Sequence, residues 1–144
     1  MTIQDDFDLQ DFMPYLLNQA ADASSRGFET YYKSTYGMLR TEWRVVFHLG
    51  RYGHQTAKAI CDRARMHKTK VSRAVRALEA KRYLTRTQMT DDKRHELLKL
   101  TTTGNRVFRD LMGEAQRYDK KMMAAFSVEE AAQIRAFLTK IAAF

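Results

Sequence analysis

Apolar residues recur every three or four positions over most of the chain, which is the spacing of amphipathic helices. The first such stretch covers residues 9–36, and Pro14 suits the first turn of that helix. Gly27 marks a candidate break within it. Because the chain has only one proline and six glycines, a mostly helical protein is expected.

Three shorter helices are predicted next. Thr41 is expected to cap a helix that ends near Leu49, and Thr56 a helix over residues 57–64. A fourth helix is predicted over residues 68–81, where valine, alanine and leucine recur at helical spacing.

The pattern then changes to the alternation that is typical of strands. Residues 83–88 and 96–101 are predicted strands, and the charged segment 90–94 lies between them as the tip of a hairpin. Two helices follow. One covers residues 104–126, capped by Thr102 or Thr103, and the other begins at a capping box over residues 127–130.

The resulting order is four helices, two strands and two helices, in a single domain of 144 residues. We therefore predict a mainly α fold with a small β-hairpin wing. Three short helices followed by a hairpin with a basic tip are the winged helix-turn-helix arrangement. Apolar residues make up 44% of the chain, enough to build a core without disulfides or metals.

Positive charge is concentrated in the middle of the chain. Residues 51–110 contain 16 Lys and Arg against 6 Asp and Glu, a net charge of +10, while the whole chain carries +8. The two ends together are therefore slightly acidic. A basic central lobe favours an anionic partner such as nucleic acid, although solvated surface cations are the alternative interpretation.

The predicted fourth helix has two different faces. Val71, Val75 and Leu78 form an apolar stripe. The opposite side carries hydroxyl and guanidinium groups, namely Thr69, Ser72, Arg73 and Arg76. Guanidinium groups match guanine edges or phosphate oxygens, and a helix of this kind fits the major groove of DNA. The alternative is an ordinary amphipathic surface helix.

Two lysines, Lys68 and Lys70, fall in the first turn of this helix. Cations at a helix N-terminus oppose the helix dipole, so their position is slightly unfavourable unless an anion lies beside them. A DNA phosphate bound there would compensate, because the first backbone N–H groups of a helix also bind anions.

These residues resemble the MarR (multiple antibiotic resistance regulator) family. The resemblance rests on Thr56-Ala57-x-x-Ile60, on Val71-Ser72-Arg73-x-Val75-x-x-Leu78-Glu79, on Asp92-Lys93-Arg94 and on Leu98-x-Leu100-Thr101-x-x-Gly104. Residues 41–46, Thr41-Glu42-Trp43-Arg44-Val45-Val46, resemble the second helix of that family.

The resemblance implies a homodimeric, ligand-responsive transcription regulator. Residues 9–36 and 103–144 would form the dimer, and residues 41–101 the lobe that binds double-stranded DNA. The implied DNA-contacting residues are Lys68, Thr69, Lys70, Ser72, Arg73, Arg76 and Arg94. Of these, Ser72, Arg73 and Arg76 would read the major groove. Arg94 would enter the minor groove, where Asp92 would orient it by a charge-assisted hydrogen bond.

The resemblance also implies an effector pocket between the dimer helices and the DNA-binding lobe, of a kind that accepts small aromatic or carboxylate ligands. The candidate residues are Tyr15, Asn18, Trp43, Arg44 and Phe47. The alternative is that Trp43 and Phe47 belong to the core and Arg44 pairs with an acid.

Other chemistry is not indicated by the sequence. Cys61 is interpreted as a small buried residue, and a single cysteine excludes an internal disulfide and favours a reducing compartment. The four histidines lack metal-ligand spacing, and we expect no metal, no cofactor and no enzymatic activity. The chain lacks signal-peptide features and membrane-length apolar runs, which predicts a cytoplasmic protein without membrane association.

We therefore expect a DNA-binding transcription regulator, a repressor in its simplest form, that binds a pseudopalindromic site as a homodimer and is released by an effector. One alternative is a non-specific architectural DNA-binding protein without a ligand response. Another is a winged-helix domain that binds only proteins, which the combination of Arg73, Arg76 and Arg94 disfavours.

Overall fold

The computed structural model describes the backbone of residues 6–89 and 92–144, and the side chains of these except residues 92–95. The elements in chain order are a short 3-10 turn at Leu9–Asp11, α1 at Met13–Tyr36, α2 at Arg40–Tyr52, β1 at Gln55–Thr56, α3 at Ala57–Ala64, α4 at Lys68–Ala80, β2 at Leu84–Met89, β3 at Asp92–Leu100, α5 at Thr102–Met123 and α6 at Val128–Ala142. The predicted fold class, mainly helical with a small wing, is confirmed.

The first helix is continuous, so the expected break at Gly27 is wrong. A Cβ atom at Gly27 would lie only 2.7 Å from Cε2 of Tyr118 on α5. The glycine therefore lets an aromatic ring of α5 approach the backbone of α1 closely. The helix ends instead at Gly37, which adopts the left-handed conformation with φ of 63° and donates its N–H to the Lys33 carbonyl.

Two of the predicted helix caps are confirmed. The Thr56 hydroxyl accepts the Ala59 N–H at 3.2 Å, and Ser127 forms a capping box with Glu130. Two others are shifted. Glu42 accepts the N–H of Leu39, so α2 begins at Arg40 rather than after Thr41. Thr101, not Thr102 or Thr103, caps α5 by accepting the Gly104 N–H at 2.9 Å.

The three strands form an antiparallel sheet in the order β1-β3-β2. The strand β1 was not predicted, because a strand of two residues is too short to show alternation. The sheet packs its base onto the helices, and the common core contains Tyr32, Met38, Val45, Val46, Leu49, Ile60, Val71, Ala74, Val75, Leu78, Leu84, Leu98, Leu100, Val107, Phe108 and Leu111.

The C-terminal end of α4 is bound to the junction between α1 and α2. Lys81 Nζ donates to Glu42 Oε1 at 3.1 Å and to the Gly37 carbonyl at 2.8 Å. Glu42 is only 4% exposed. An ion pair with one buried partner thus joins the end of α4 to α2, and the hydrogen bond to Gly37 joins it to the end of α1.

The start of α5 lies directly against the turn that leads from α4 into the wing. The Thr101 N–H donates to the Tyr83 carbonyl at 3.0 Å, and its hydroxyl donates to the Arg82 carbonyl at 2.8 Å. A Cβ atom at Gly104 would lie 1.9 Å from the Tyr83 carbonyl oxygen. Only glycine permits this contact, because the backbone of the turn cannot withdraw like a flexible side chain.

A carboxylate joins α1 to α5. Asp110 Oδ2 accepts hydrogen bonds from the hydroxyls of Tyr31, at 2.6 Å, and Tyr36. These bonds hold the pKa of Asp110 below its usual value. The hydrogen bond to Asp110 raises the pKa of Tyr31 to about 12, and burial together with the same carboxylate raises the pKa of Tyr36.

We expect Gly104→Ala to lower the free energy of unfolding by about 3 kcal/mol, because the added methyl group meets the Tyr83 carbonyl. The control is Gly113→Ala in the same helix, where a Cβ atom lies no closer than 3.5 Å to Arg117. That variant should gain about 0.5–1 kcal/mol from helix propensity. Urea unfolding would measure both, and equal changes at the two positions would contradict the close contact.

The Asp110→Asn variant should be less stable than the wild type by about 1 kcal/mol near neutral pH, because its amide cannot replace the hydrogen bonds to a charged group. The difference should shrink as the pH falls below the ordinary carboxyl value of 3.8, where the wild-type carboxylate becomes protonated. It should also shrink above pH 10, because Tyr31 of the folded wild type resists ionisation up to about 12. Urea unfolding across pH, with Asp22→Asn as an exposed control, checks this; a pH-independent difference would contradict it.

Candidate nucleic-acid interface

The helix α4 buries one face and exposes the other, as its pattern predicts. Val71, Ala74, Val75 and Leu78 are buried in the core. The six residues of α4 that were predicted to contact DNA, Lys68, Thr69, Lys70, Ser72, Arg73 and Arg76, are all exposed. The buried stripe fixes the rotation of the helix, so these polar side chains face solvent together.

Five of the six line one groove along α4, of about 480 Å³, formed by Lys68, Thr69, Ser72, Arg73 and Arg76. Lys70 is exposed but lies outside this groove. The groove presents three cations and two hydroxyls over two turns of helix. Such a set can bind phosphate oxygens and the hydrogen-bonding edges of bases.

The N-terminus of α4 is capped by a histidine. The His67 Nδ1 atom accepts the Thr69 N–H at 3.2 Å. The sequence did not indicate this cap, because histidine is not among the residues usually found there. The first turn of α4 contains no acidic residue, and its two lysines, Lys68 and Lys70, are both exposed. This end of the helix is therefore a strongly positive site.

The turn between α3 and α4 contains a residue in an unusual conformation. Arg65 adopts the left-handed region with φ of 53°, which is disfavoured for residues with a side chain. Its guanidinium donates to the Ala142 carbonyl at the end of α6, at 2.5 Å. The turn that sets the angle of α4 is thus in contact with the C-terminal helix.

The wing is formed by β2 and β3, which pair from Leu84↔Leu100 to Gln88↔Glu96. A bulge follows between Gln88 and Met89. The backbone of Asp92 and Arg94 belongs to β3, but the side chains of these two residues lie outside the described part of the chain. Their predicted roles at the wing tip therefore remain predictions.

A cavity of about 650 Å³ lies between α3, α4 and the wing. Cys61 lines it and packs against the core, but it is only partly buried rather than buried as expected. Among the side chains that the structure describes, no group of three or more potential metal ligands comes together. Over the same residues, no helix is both long and apolar enough to cross a membrane.

The residues predicted for an effector pocket do not form one site within a single chain. The Trp43 ring packs at 4.9 Å from Phe28 and at 5.7 Å from Phe47, so two of the three predicted aromatic residues, Trp43 and Phe47, join the edge of the core. Arg44 is exposed.

The two remaining candidates lie far away. Tyr15 and Asn18 are near the start of α1, and Tyr15 precedes Phe28 by 13 positions, or about 20 Å along the helix axis. Both residues lie on α1, and the length of this helix separates them from Trp43 within one chain. Within one chain, the candidate set is therefore limited to Trp43, Arg44 and Phe47.

Residues 36–95, from the end of α1 into β3, match the sequence model of the MarR family. This range contains the whole helix-turn-helix and most of the wing. The resemblance seen in the sequence motifs is thereby confirmed. MarR-family proteins are transcription regulators rather than enzymes, which agrees with the expectation that this chain is not an enzyme.

Solved structures of such regulators share the fold of this chain. A MarR/EmrR family transcriptional regulator from Acinetobacter sp. ADP1 is 25% identical, with a TM-score of 0.83 over 94% of this chain and 95% of that chain. S. aureus MepR, solved in complex with DNA, is 20% identical, with a TM-score of 0.81 over 91% and 96% of the two chains.

A third similar structure is that of Bordetella bronchiseptica BpsR, whose DNA binding is regulated by 6-hydroxynicotinic acid. It is 16% identical, with a TM-score of 0.87 over 94% of this chain and 96% of that chain. No curated protein matches the sequence.

Proposed function

We propose that the chain is a cytoplasmic regulator that binds double-stranded DNA sequence-specifically through α4 and the wing, since its winged helix-turn-helix segment matches the MarR family. The observation that carries this proposal is the exposed face of α4, where cations and hydroxyls line one groove and the first turn lacks acids. The similarity in fold to MepR, which was solved in complex with DNA, supports DNA binding by this chain. Repression by occupying a promoter is the simplest mode of action.

In this proposal the residues have distinct roles. Ser72, Arg73 and Arg76 read base edges in the major groove, because they occupy the middle of the exposed face. Lys68, Thr69 and Lys70 bind phosphates at the helix N-terminus, and Arg94, supported by Asp92, enters the minor groove. Arginine in a narrow minor groove favours A·T-rich flanks.

We further propose that the protein acts as a homodimer through its two ends. Apolar side chains are exposed there in unusual number: Phe7, Leu9, Phe12, Met13, Leu16, Met122, Phe126, Val128, Phe137, Leu138, Ile141 and Phe144. A patch of this size on a monomer marks an interface. A two-fold dimer would place two α4 helices one DNA turn apart, about 10 base pairs, and so would bind a pseudopalindrome.

The proposed effector is a small aromatic acid bound beside Trp43, Arg44 and Phe47. Two aromatic rings and a guanidinium provide stacking and a carboxylate partner, and BpsR is a precedent for regulation by such an acid. Trp43 is the only tryptophan in the chain, so its fluorescence would report on a ligand at this position. The effector would favour a dimer in which the spacing of the two α4 helices no longer fits DNA.

The proposed function is tested by fluorescence anisotropy with the duplex that flanks the protein's own gene and with a scrambled duplex, at two salt concentrations. The specific duplex should bind at least about 10³-fold more tightly. Arg73→Ala should cost about 1–3 kcal/mol of binding and reduce the preference for the specific duplex. Arg109→Ala, an exposed arginine on α5, is the matched control.

Two outcomes would oppose this proposal. Equal affinity for several flanking duplexes and the scrambled one would favour an architectural protein that does not read sequence. Absence of binding to any duplex at low salt would favour a winged-helix domain that binds only proteins.

The dimer proposal predicts that Phe137→Glu shifts the protein towards monomers in sedimentation equilibrium, because a carboxylate would enter the apolar interface. Phe137 is 61% exposed in the single chain, so the fold itself should tolerate the change. Thr139→Glu, which adds the same charge at an exposed position on the opposite side of α6, is the control. A wild-type protein that sediments as a monomer at micromolar concentration would refute the dimer.

A further inference from the structure

Apolar contacts hold the base of the wing, but they do not continue to its tip. At its base, Leu84 of β2 pairs with Leu100 of β3, and both are buried. Two residues further along, Leu98 is still buried, but the position opposite it is Arg86. Glu96 follows on β3. Since side chains two apart share a face of a sheet, the face of the wing that begins as core becomes charged towards the tip.

Beyond these apolar contacts, a cavity opens beside the wing. The cavity of about 650 Å³ lies between the wing and the two helices α3 and α4, and Val75, Leu98 and Arg86 are among its lining residues. Tight packing normally fixes how one element sits on another. Beside the cavity, polar contacts between the wing and α4 contribute to the angle between them.

One side chain of β2 makes polar contacts both with α4 and with the neighbouring strand β3. Arg86 Nε lies 3.2 Å from Glu79 Oε2 on α4, and Arg86 Nη1 lies 3.5 Å from Glu96 Oε2 on β3. The Arg86 side chain is 33% exposed, less than either carboxylate partner. The planar guanidinium can hold two carboxylates at once in fixed directions, which a lysine could not do.

We infer that Arg86 is a positioning residue that sets the angle of the wing relative to α4, and that it is not a phosphate contact. Two carboxylates already offset its charge, unlike that of the cations in the groove of α4. The inference rests on the proposed function, since the angle matters only if the wing and α4 bind one DNA duplex together. Arg86 is therefore a basic residue of the DNA-binding lobe whose proposed role is to position the wing.

The test combines a measurement without DNA and one with DNA. In Arg86→Gln, amide hydrogen exchange in β2 and in residues 96–100 should become about three- to five-fold faster, the effect of a partly exposed ion-pair network. Exchange in α5 should stay unchanged. Affinity for the duplex used above should fall by a similar factor, while the slope of log Kd against log salt should stay at the wild-type value, because the same phosphates remain neutralised.

A second variant separates geometry from charge. Glu79→Gln makes the lobe more positive, so an effect of net charge alone would tighten DNA binding. If Arg86 positions the wing, Glu79→Gln weakens DNA binding instead, and its effect together with Arg86→Gln is smaller than the sum of the two. Arg109→Gln, which removes an exposed charge from α5, should leave exchange in the wing unchanged.

Three results would overturn the inference. The first is unchanged exchange in the wing of Arg86→Gln, and the second is tighter DNA binding by Glu79→Gln. The third is a salt slope that is shallower by about 0.9 in Arg86→Gln, which is expected if one phosphate is no longer neutralised. If the wild type binds no duplex, the proposed function fails. The exchange measurement then still decides whether Arg86 holds the wing.

Discussion

The ion pair between Lys81 and Glu42 is the contact on which the position of α4 depends most directly. Glu42 is 4% exposed, and its two oxygens have separate partners, the Lys81 ammonium and the Leu39 N–H at the start of α2. A buried carboxylate without a partner is costly by several kcal/mol. The end of α4 and the turn between α1 and α2 must therefore come together as the protein folds, or the carboxylate would remain unpaired.

Helices at both ends of the chain contact α4 or the turns beside it. Lys81 also donates to the Gly37 carbonyl, so the end of α1 and the C-terminal end of α4 are in direct contact. At the other end of α4, Arg65 of the preceding turn contacts α6. The start of α5 is held against Tyr83 by the close approach at Gly104. These contacts connect α1 and α6 with the two ends of α4, and α5 with the turn that follows it.

The sequence predicted those features that depend on neighbours along the chain. The faces of α4, the caps at Thr56 and Ser127 and the wing hairpin were all found, because helical spacing, capping residues and alternation are local signals. Apart from the shifted caps of α2 and α5, the errors arose where a distant residue decides the outcome. Tyr118 makes Gly27 a packing site rather than a break, and the two-residue strand β1 exists only because β3 lies beside it.

The candidate sites show the same division between features that the local sequence predicts and features that depend on distant residues. The exposure of the basic residues of α4 follows from their spacing, whereas a family resemblance carries no information on how far apart the effector candidates lie in one chain. The length of α1 places Tyr15 far from Trp43 in the same chain. Ion pairing could not be predicted either, because Arg86 and its partner Glu79 belong to different elements, and their contact depends on how the wing folds onto α4.

Net charge alone therefore overstates how much of the central lobe is available to DNA. Of its cations, Lys81 and Arg86 are engaged by carboxylates, Arg65 by the end of α6, and Arg63 lies 3.9 Å over the Tyr52 ring. By contrast, the four cations of α4, Lys68, Lys70, Arg73 and Arg76, make no ion pair with any residue that the structure describes. The salt dependence of DNA binding should follow this smaller set, since only cations that neutralise phosphates release counterions.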